Sequence, residues 1–182
     1  MKRIYRIVFI ILSLSLLATS ALAYPPTPED PWDGLIETDI AVSYTEADAK
    51  RYLAYFADAD MSYAPYVMSI EGQYEAYLAS DYVDEYFIPG LPLDSDLSQE
   101  EIVCIAYAWL EQQGYVRKEV MSRPHHVSLR FMTNAHDSTR LWLFNFNPLD
   151  DEGDYFGQTV FVYIASETGH VVYTGGWFRS LG

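Results

Sequence analysis

The sequence predicts an α+β fold: a helix packed on an antiparallel β-meander, with a helical region ahead of it. Three observations carry this. Ser98 and Glu101 form an S-x-x-E capping box before an apolar helical pattern that stops at Gly114. After Gly114 the apolar period drops from a helical repeat to about two residues, the repeat of strands. Finally, "SETGH" at residues 166–170 sets a glycine between two alternating runs, where a left-handed residue closes a short hairpin.

The N-terminus reads as an export signal. Lys2, Arg3 and Arg6 make a basic start, residues 7–17 are apolar except for Ser13 and Ser15, and Ala21-Leu22-Ala23 is a small-x-small cleavage site. The apolar run is shorter than the roughly 20 residues a membrane span requires. The expectation is therefore a secreted or envelope-associated protein, with residues 1–23 removed and no stable membrane anchor afterwards. Residues 24–44 begin with Pro25, Pro26, Pro28 and Pro31 and read as an extended leader.

A Tyr-rich helical region with its linker follows over residues 45–96. Thr45 can cap a first helix, with Glu46 and Asp48 in its first turn and Ala49, Leu53 and Phe56 at helical spacing. A second helical pattern runs over residues 69–87, where Ile70, Tyr74, Tyr77, Leu78 and Tyr82 recur at three- and four-residue steps. Residues 88–96, "IPGLPLDSD", contain two prolines and a glycine that cannot continue a helix, and predict a boundary.

Residues 97–182 form the predicted α+β domain. Its helix carries Ile102, Ala106, Trp109 and Leu110 on one face and Cys104, Tyr107 and Ala108 on another, so it is expected between two layers. Strand alternation then appears at Val116 and Val120, at Val127, Leu129 and Phe131, at Trp142, Phe144 and Phe146, at Val160, Val162 and Ile164, and at Val172 and Thr174.

The run "LSQEEIVCIAYAWLEQQGY", the strand "RLWLFNF" and the hairpin "VFVYIASETGHVV" together resemble the PepSY-like domains of exported bacterial proteins. The likeness spans about residues 97–177. It departs from that family's pattern at Ala165, where an Asp is usual, and at His170 after the turn glycine. The resemblance implies a helix on an antiparallel sheet, no catalytic residues, no cofactor, and a role in binding or restraining a secreted peptidase or other envelope protein. It also implies that Trp142, Phe144, Phe146, Val162 and Ile164 face the helix. Leu141, Leu143, Phe161 and Tyr163 would then lie on the opposite face. With Trp177, these four make the candidate binding surface.

Covering each such side chain is worth about 1.5–3 kcal/mol, so a bare face of this kind is unusual on a monomer. The N-terminal helices are the expected cover, with a second copy or a ligand as the alternatives. No sequence feature sets the oligomeric state.

Composition narrows the chemistry. The net charge is −15, and losing the three basic residues of the signal makes the remainder more acidic still, which disfavours nucleic acid and anionic membrane as partners. Cys104 is the single cysteine, so no internal disulfide forms. It lies within a helix pattern and reads as a packed residue rather than a nucleophile. His125 and His126 are adjacent and would point to opposite faces of a strand; with His136 and His170 they make no metal-binding motif. Asp150, Asp151, Glu152 and Asp154 form an acidic loop in which Gly153 is out of register for an EF-hand. Two other functions remain open from the residues alone. One is a carbohydrate- or peptidoglycan-binding adhesion module using Trp32, Trp177 and exposed tyrosines. The other is a hydrolase using scattered carboxylates.

Overall fold

The computed structural model describes residues 35–59, 69–81, 86–114, 118–123, 125–149 and 158–178. The signal sequence, the proline cluster with Trp32, and the acidic loop at residues 150–154 lie outside them. In chain order the elements are β1 (Ile36–Ala41), α1 (Glu46–Ala57), α2 (Ile70–Leu78), β2 (Phe87–Pro89), α3 (Gln99–Gln112), α4 (Lys118–Met121), β3 (His125–Asn134), β4 (Arg140–Pro148), β5 (Gln158–Ala165) and β6 (His170–Phe178). Among the described residues no helix is long and apolar enough to cross a membrane.

The strands form one six-stranded antiparallel sheet in the order β1-β6-β5-β4-β3-β2. Strands β3 to β6 are the predicted meander. The two flanking strands correct the sequence reading. Residues 36–41, read as part of the extended leader, pair with β6 instead. Residues 87–89, read as the end of a helix and the start of a linker, pair with β3. The described residues from 35 onward, those at 88–96 included, belong to one compact unit. The second N-terminal helix is also shorter than its apolar pattern, ending at Leu78. The alternation around Val120 belongs to the single-turn helix α4 rather than to a strand.

Local signals explain the helices. The Thr45 hydroxyl accepts from the Asp48 amide while the Asp48 carboxylate accepts from the Thr45 amide, so α1 starts with a reciprocal capping box. Ser98 and Glu101 do the same for α3. Along α3, Ile102 through Leu110 are all buried. This follows from its position between the sheet and α1. The Tyr107 ring stacks on Tyr52 of α1 with centroids 5.9 Å apart and meets Phe144 of β4 edge-on at 5.2 Å. Cys104 is buried against α1, its Sγ 3.9 Å from the Ala49 carbonyl oxygen, and burial raises its thiol pKa, the reverse of a reactive cysteine.

Strand register builds the core in rows. Val127, Phe146 and Val160 lie side by side, then Leu129, Phe144, Val162 and Thr174, then Phe131, Trp142, Ile164 and Val171. All face α3 and all are buried. The predicted helix-facing set is therefore the observed one.

A polar latch ties the chain before α3 to the β5–β6 turn. The Asp96 side chain is fully buried, and its carboxylate accepts from the Ser166 hydroxyl at 2.7 Å, the Leu93 amide at 2.7 Å and Arg140 at 3.0 Å. Burial alone would raise its pKa, but these donors together hold it below the usual carboxylate value. The Leu97 amide also donates to the Ser166 carbonyl at 2.8 Å.

Candidate functional site

The second sheet face carries the residues singled out as a binding surface. Register places them in rows of their own: Ser128, Asn145 and Phe161; Arg130, Leu143, Tyr163 and Tyr173; Met132, Leu141 and Ala165. Leu141, Leu143, Phe161 and Tyr163 thus do share one face. Trp177 lies opposite Thr159 on β6, and its side chain is outside the described residues.

Burial divides the set. Leu141 is 1 % exposed, Leu143 7 % and Tyr163 9 %, whereas Phe161 is half-buried. An open apolar platform is therefore not what this face presents. The Phe87 ring, reaching in from β2, packs on Tyr163 with centroids 5.7 Å apart, and Tyr173 meets Tyr163 edge-on at 6.3 Å.

The expected cover was wrong in position. Helices α1 and α2 do not lie on this face; they share the first face with α3. Ala49, Leu53, Phe56 and Ile70 pack against the main core, and the Gln73 side chain donates to the Leu129 carbonyl at 3.0 Å. The physical reason is α3 itself. Its second apolar side, with Cys104 and Tyr107, offers α1 a better-matched partner than the second sheet face does.

That face is also less apolar than its sequence alternation implies. Asn145 donates to the Ser128 hydroxyl at 2.8 Å, and the Thr159 hydroxyl donates to Asn147. Toward this end the sheet is held by hydrogen bonds across strands, and toward the other by Met132, Leu141 and Leu143.

The core holds one pairing with no local sequence signal. Tyr107 and His125 meet at 2.7 Å between the phenol oxygen and Nε2, and His125 Nδ1 is 2.7 Å from the Arg123 carbonyl. A carbonyl only accepts, so Nδ1 carries the proton and Nε2 accepts from the phenol. His125 is 2 % exposed and Tyr107 is fully buried, so no substrate reaches either. Burial pushes the His125 pKa down, against the smaller raising effect of the Arg123 carbonyl, and nearby His126 lowers it further. Burial likewise pushes the Tyr107 phenol up.

Neutral His125 makes stability pH-dependent. Below the unfolded value near 6.5 the unfolded chain binds a proton that the folded chain refuses, so stability falls as pH drops from about 6.5 toward the depressed folded value. Denaturation midpoints measured between neutral pH and pH 5 should fall more steeply for the native chain than for His125→Gln. Parallel profiles would show that the folded imidazole takes up a proton as readily as the unfolded one.

His126 is half-buried and does not join His125 in any metal-binding set. Among the described residues no three metal-ligating side chains come together. The chain matches no family model, no curated protein and no solved structure.

Proposed function

We propose that this chain is an exported, non-catalytic binding module whose partner is a protein, a secreted peptidase or another envelope protein. The export-signal pattern supports the compartment. The likeness of residues 97–177 to PepSY-like domains supports the class of partner. The observation that carries the reading is the exposed edge strand β1. It ends the sheet, it is exposed along nearly its whole length, and Ile36 and Ile40 stand 57 % and 44 % exposed on it. A free sheet edge offers a row of backbone donors and acceptors to an extended segment of a partner. Exposed isoleucines give such a segment apolar contact.

Glu37 and Asp39 lie on the same strand, and with the acidic balance of the chain they favour a partner that is basic at the contact. Half-buried Phe161 lies on β5, inward of β6, and so away from this edge.

The test uses the mature chain with purified secreted peptidases and calorimetry. Binding should weaken by about tenfold or more in Ile36→Lys/Ile40→Lys, while stability changes by no more than about 0.5 kcal/mol, since both side chains are exposed. Absence of binding together with unchanged peptidase activity would count against the reading. Tight binding to peptidoglycan fragments instead would favour the adhesion module.

A further inference from the structure

We infer that the partner segment received by β1 is an extended strand in which aliphatic residues alternate with lysine or arginine. This rests on the edge-strand reading above and adds to it the sequence pattern of the partner.

Register sorts the β1 side chains by face. Ile36 lies opposite Thr174 and continues the row of Leu129, Phe144, Val162 and Thr174. Ile40 lies opposite Val171 and continues the row of Phe131, Trp142, Ile164 and Val171. Both rows belong to the face that packs on α3. They are buried as far as β6 and then end on isoleucines that are 57 % and 44 % exposed.

The acids take the other face. Glu37 lies opposite Tyr173 and continues the second-face row of Arg130, Leu143 and Tyr163. Asp39 shares that face, because its carboxylate accepts from His170 Nδ1 at 2.7 Å, and His170 points away from the core side taken by its neighbour Val171. The edge is therefore apolar on one face and acidic on the other, and β1 carries no basic residue of its own.

The strand is also held in place for pairing. Between Glu37 and Ile40 it has one residue more than β6, so Thr38 and Asp39 stand opposite Val172. An extra residue of this kind bends a strand and interrupts its ladder. Here it is pinned from both sides, by the Thr38 hydroxyl donating to the Val171 carbonyl at 2.6 Å and by His170 on Asp39. The Asp39 side chain is still 82 % exposed, so its charge is within reach of a partner.

A second copy of the chain fits this edge poorly. Two β1 strands paired antiparallel about Thr38 would set Ile36 against Ile40, but would also set Glu37 against Asp39 twice. Like charges directly opposite one another destabilise a strand pair. The two acids thus guard an apolar edge against self-pairing and favour a cationic strand in its place. Each matched cross-strand pair carries about two- to fivefold in affinity, so two charge pairs carry about tenfold.

The experiment is a ¹H–¹⁵N NMR titration of the mature chain with three capped heptapeptides: VKVKVKV, VEVEVEV and VVVVKKK, the last having the composition of the first in block order. The alternating lysine peptide should shift the amides of residues 36–41 with one saturating curve. The other two should bind at least about tenfold more weakly. Glu37→Lys/Asp39→Lys replaces exposed side chains, so it should keep its denaturation midpoint and reverse the preference toward VEVEVEV. Glu37→Gln/Asp39→Asn should bind the two alternating peptides equally. The inference is overturned if the block peptide binds as tightly as VKVKVKV, or if the charge-reversed chain still prefers lysine. If a peptidase binds the native chain and loses affinity with Ile36→Lys/Ile40→Lys while VKVKVKV leaves the β1 amides unmoved, this inference fails and the edge-strand reading stands. If neither the peptidase nor the peptide touches β1, both fail.

Discussion

Phe144→Ala should destabilise the protein by about 3–5 kcal/mol, the range for removing a fully buried aromatic side chain. Phe144 is fully buried at the centre of β4, between Leu129 of β3 and Val162 of β5, with the Tyr107 ring 5.2 Å above it. Its removal leaves a cavity under α3 that neither neighbouring strand can fill, because both are fixed by ladder hydrogen bonds. Tyr107 would lose one of its edge-on partners while still bound to His125, so it cannot swing into the space. Against a total stability of roughly 5–15 kcal/mol, such a loss is large. Chemical denaturation should show a lower midpoint with an unchanged slope.

Leu143→Ala, one residue away on the other face, should cost less, about 2 kcal/mol, at the bottom of the range for a buried leucine. Leu143 is 7 % exposed and lies outside the main core cluster, beside Arg130 and Tyr163. Equal losses for the two variants would mean that both faces are packed alike, contrary to the asymmetry described above.

Gly169→Ala should cost about 2–3 kcal/mol, more than a methyl group added to a turn normally does. Two effects combine. The backbone at Gly169 has φ of +71°, where an L side chain is strained by about 1–2 kcal/mol. In addition, a Cβ there would stand 2.8 Å from Ile105 Cδ1 and 2.9 Å from Leu97 Cδ1, closer than carbon atoms pack. Both are terminal methyl groups that can rotate away, so the overpacking penalty stays near the low end of about 1–3 kcal/mol.

Gly114 is the matched control. Its φ of +68° is nearly the same, but a Cβ would meet nothing within 4 Å. Gly114→Ala should therefore lose only the backbone share, about 1–2 kcal/mol. The difference between the two variants measures how closely the β5–β6 hairpin is pressed against α3. It should shrink in a chain that also carries Ile105→Val. A Gly169→Ala loss no larger than that of Gly114→Ala would show that the hairpin stands clear of the helix.

What was legible in the sequence is short-range. The Ser98–Glu101 capping box, the all-round apolar character of α3, the alternation that sorts Trp142, Phe144 and Phe146 from Leu141 and Leu143, and the left-handed glycine of the hairpin all depend on residues within a few positions of each other. Backbone geometry fixes such patterns wherever the segment ends up in space. The strand β1 was legible in the same way, since Ile36, Thr38 and Ile40 alternate with Glu37 and Asp39, but the prolines before it suggested an unpaired leader. Its pairing with β6 joins residues 129 to 138 positions apart, and nothing local announces a partner at that distance.

The candidate surface followed the same rule. Sequence alternation placed Leu141, Leu143, Phe161 and Tyr163 on one face, but it could not say which of them water would reach. The choice of α1 and α2 between two apolar surfaces and the meeting of Tyr107 with His125 were decided by the tertiary structure alone. Each depends on how whole layers share a limited interior. Burial energy is summed over the assembled core and carries no address in the chain.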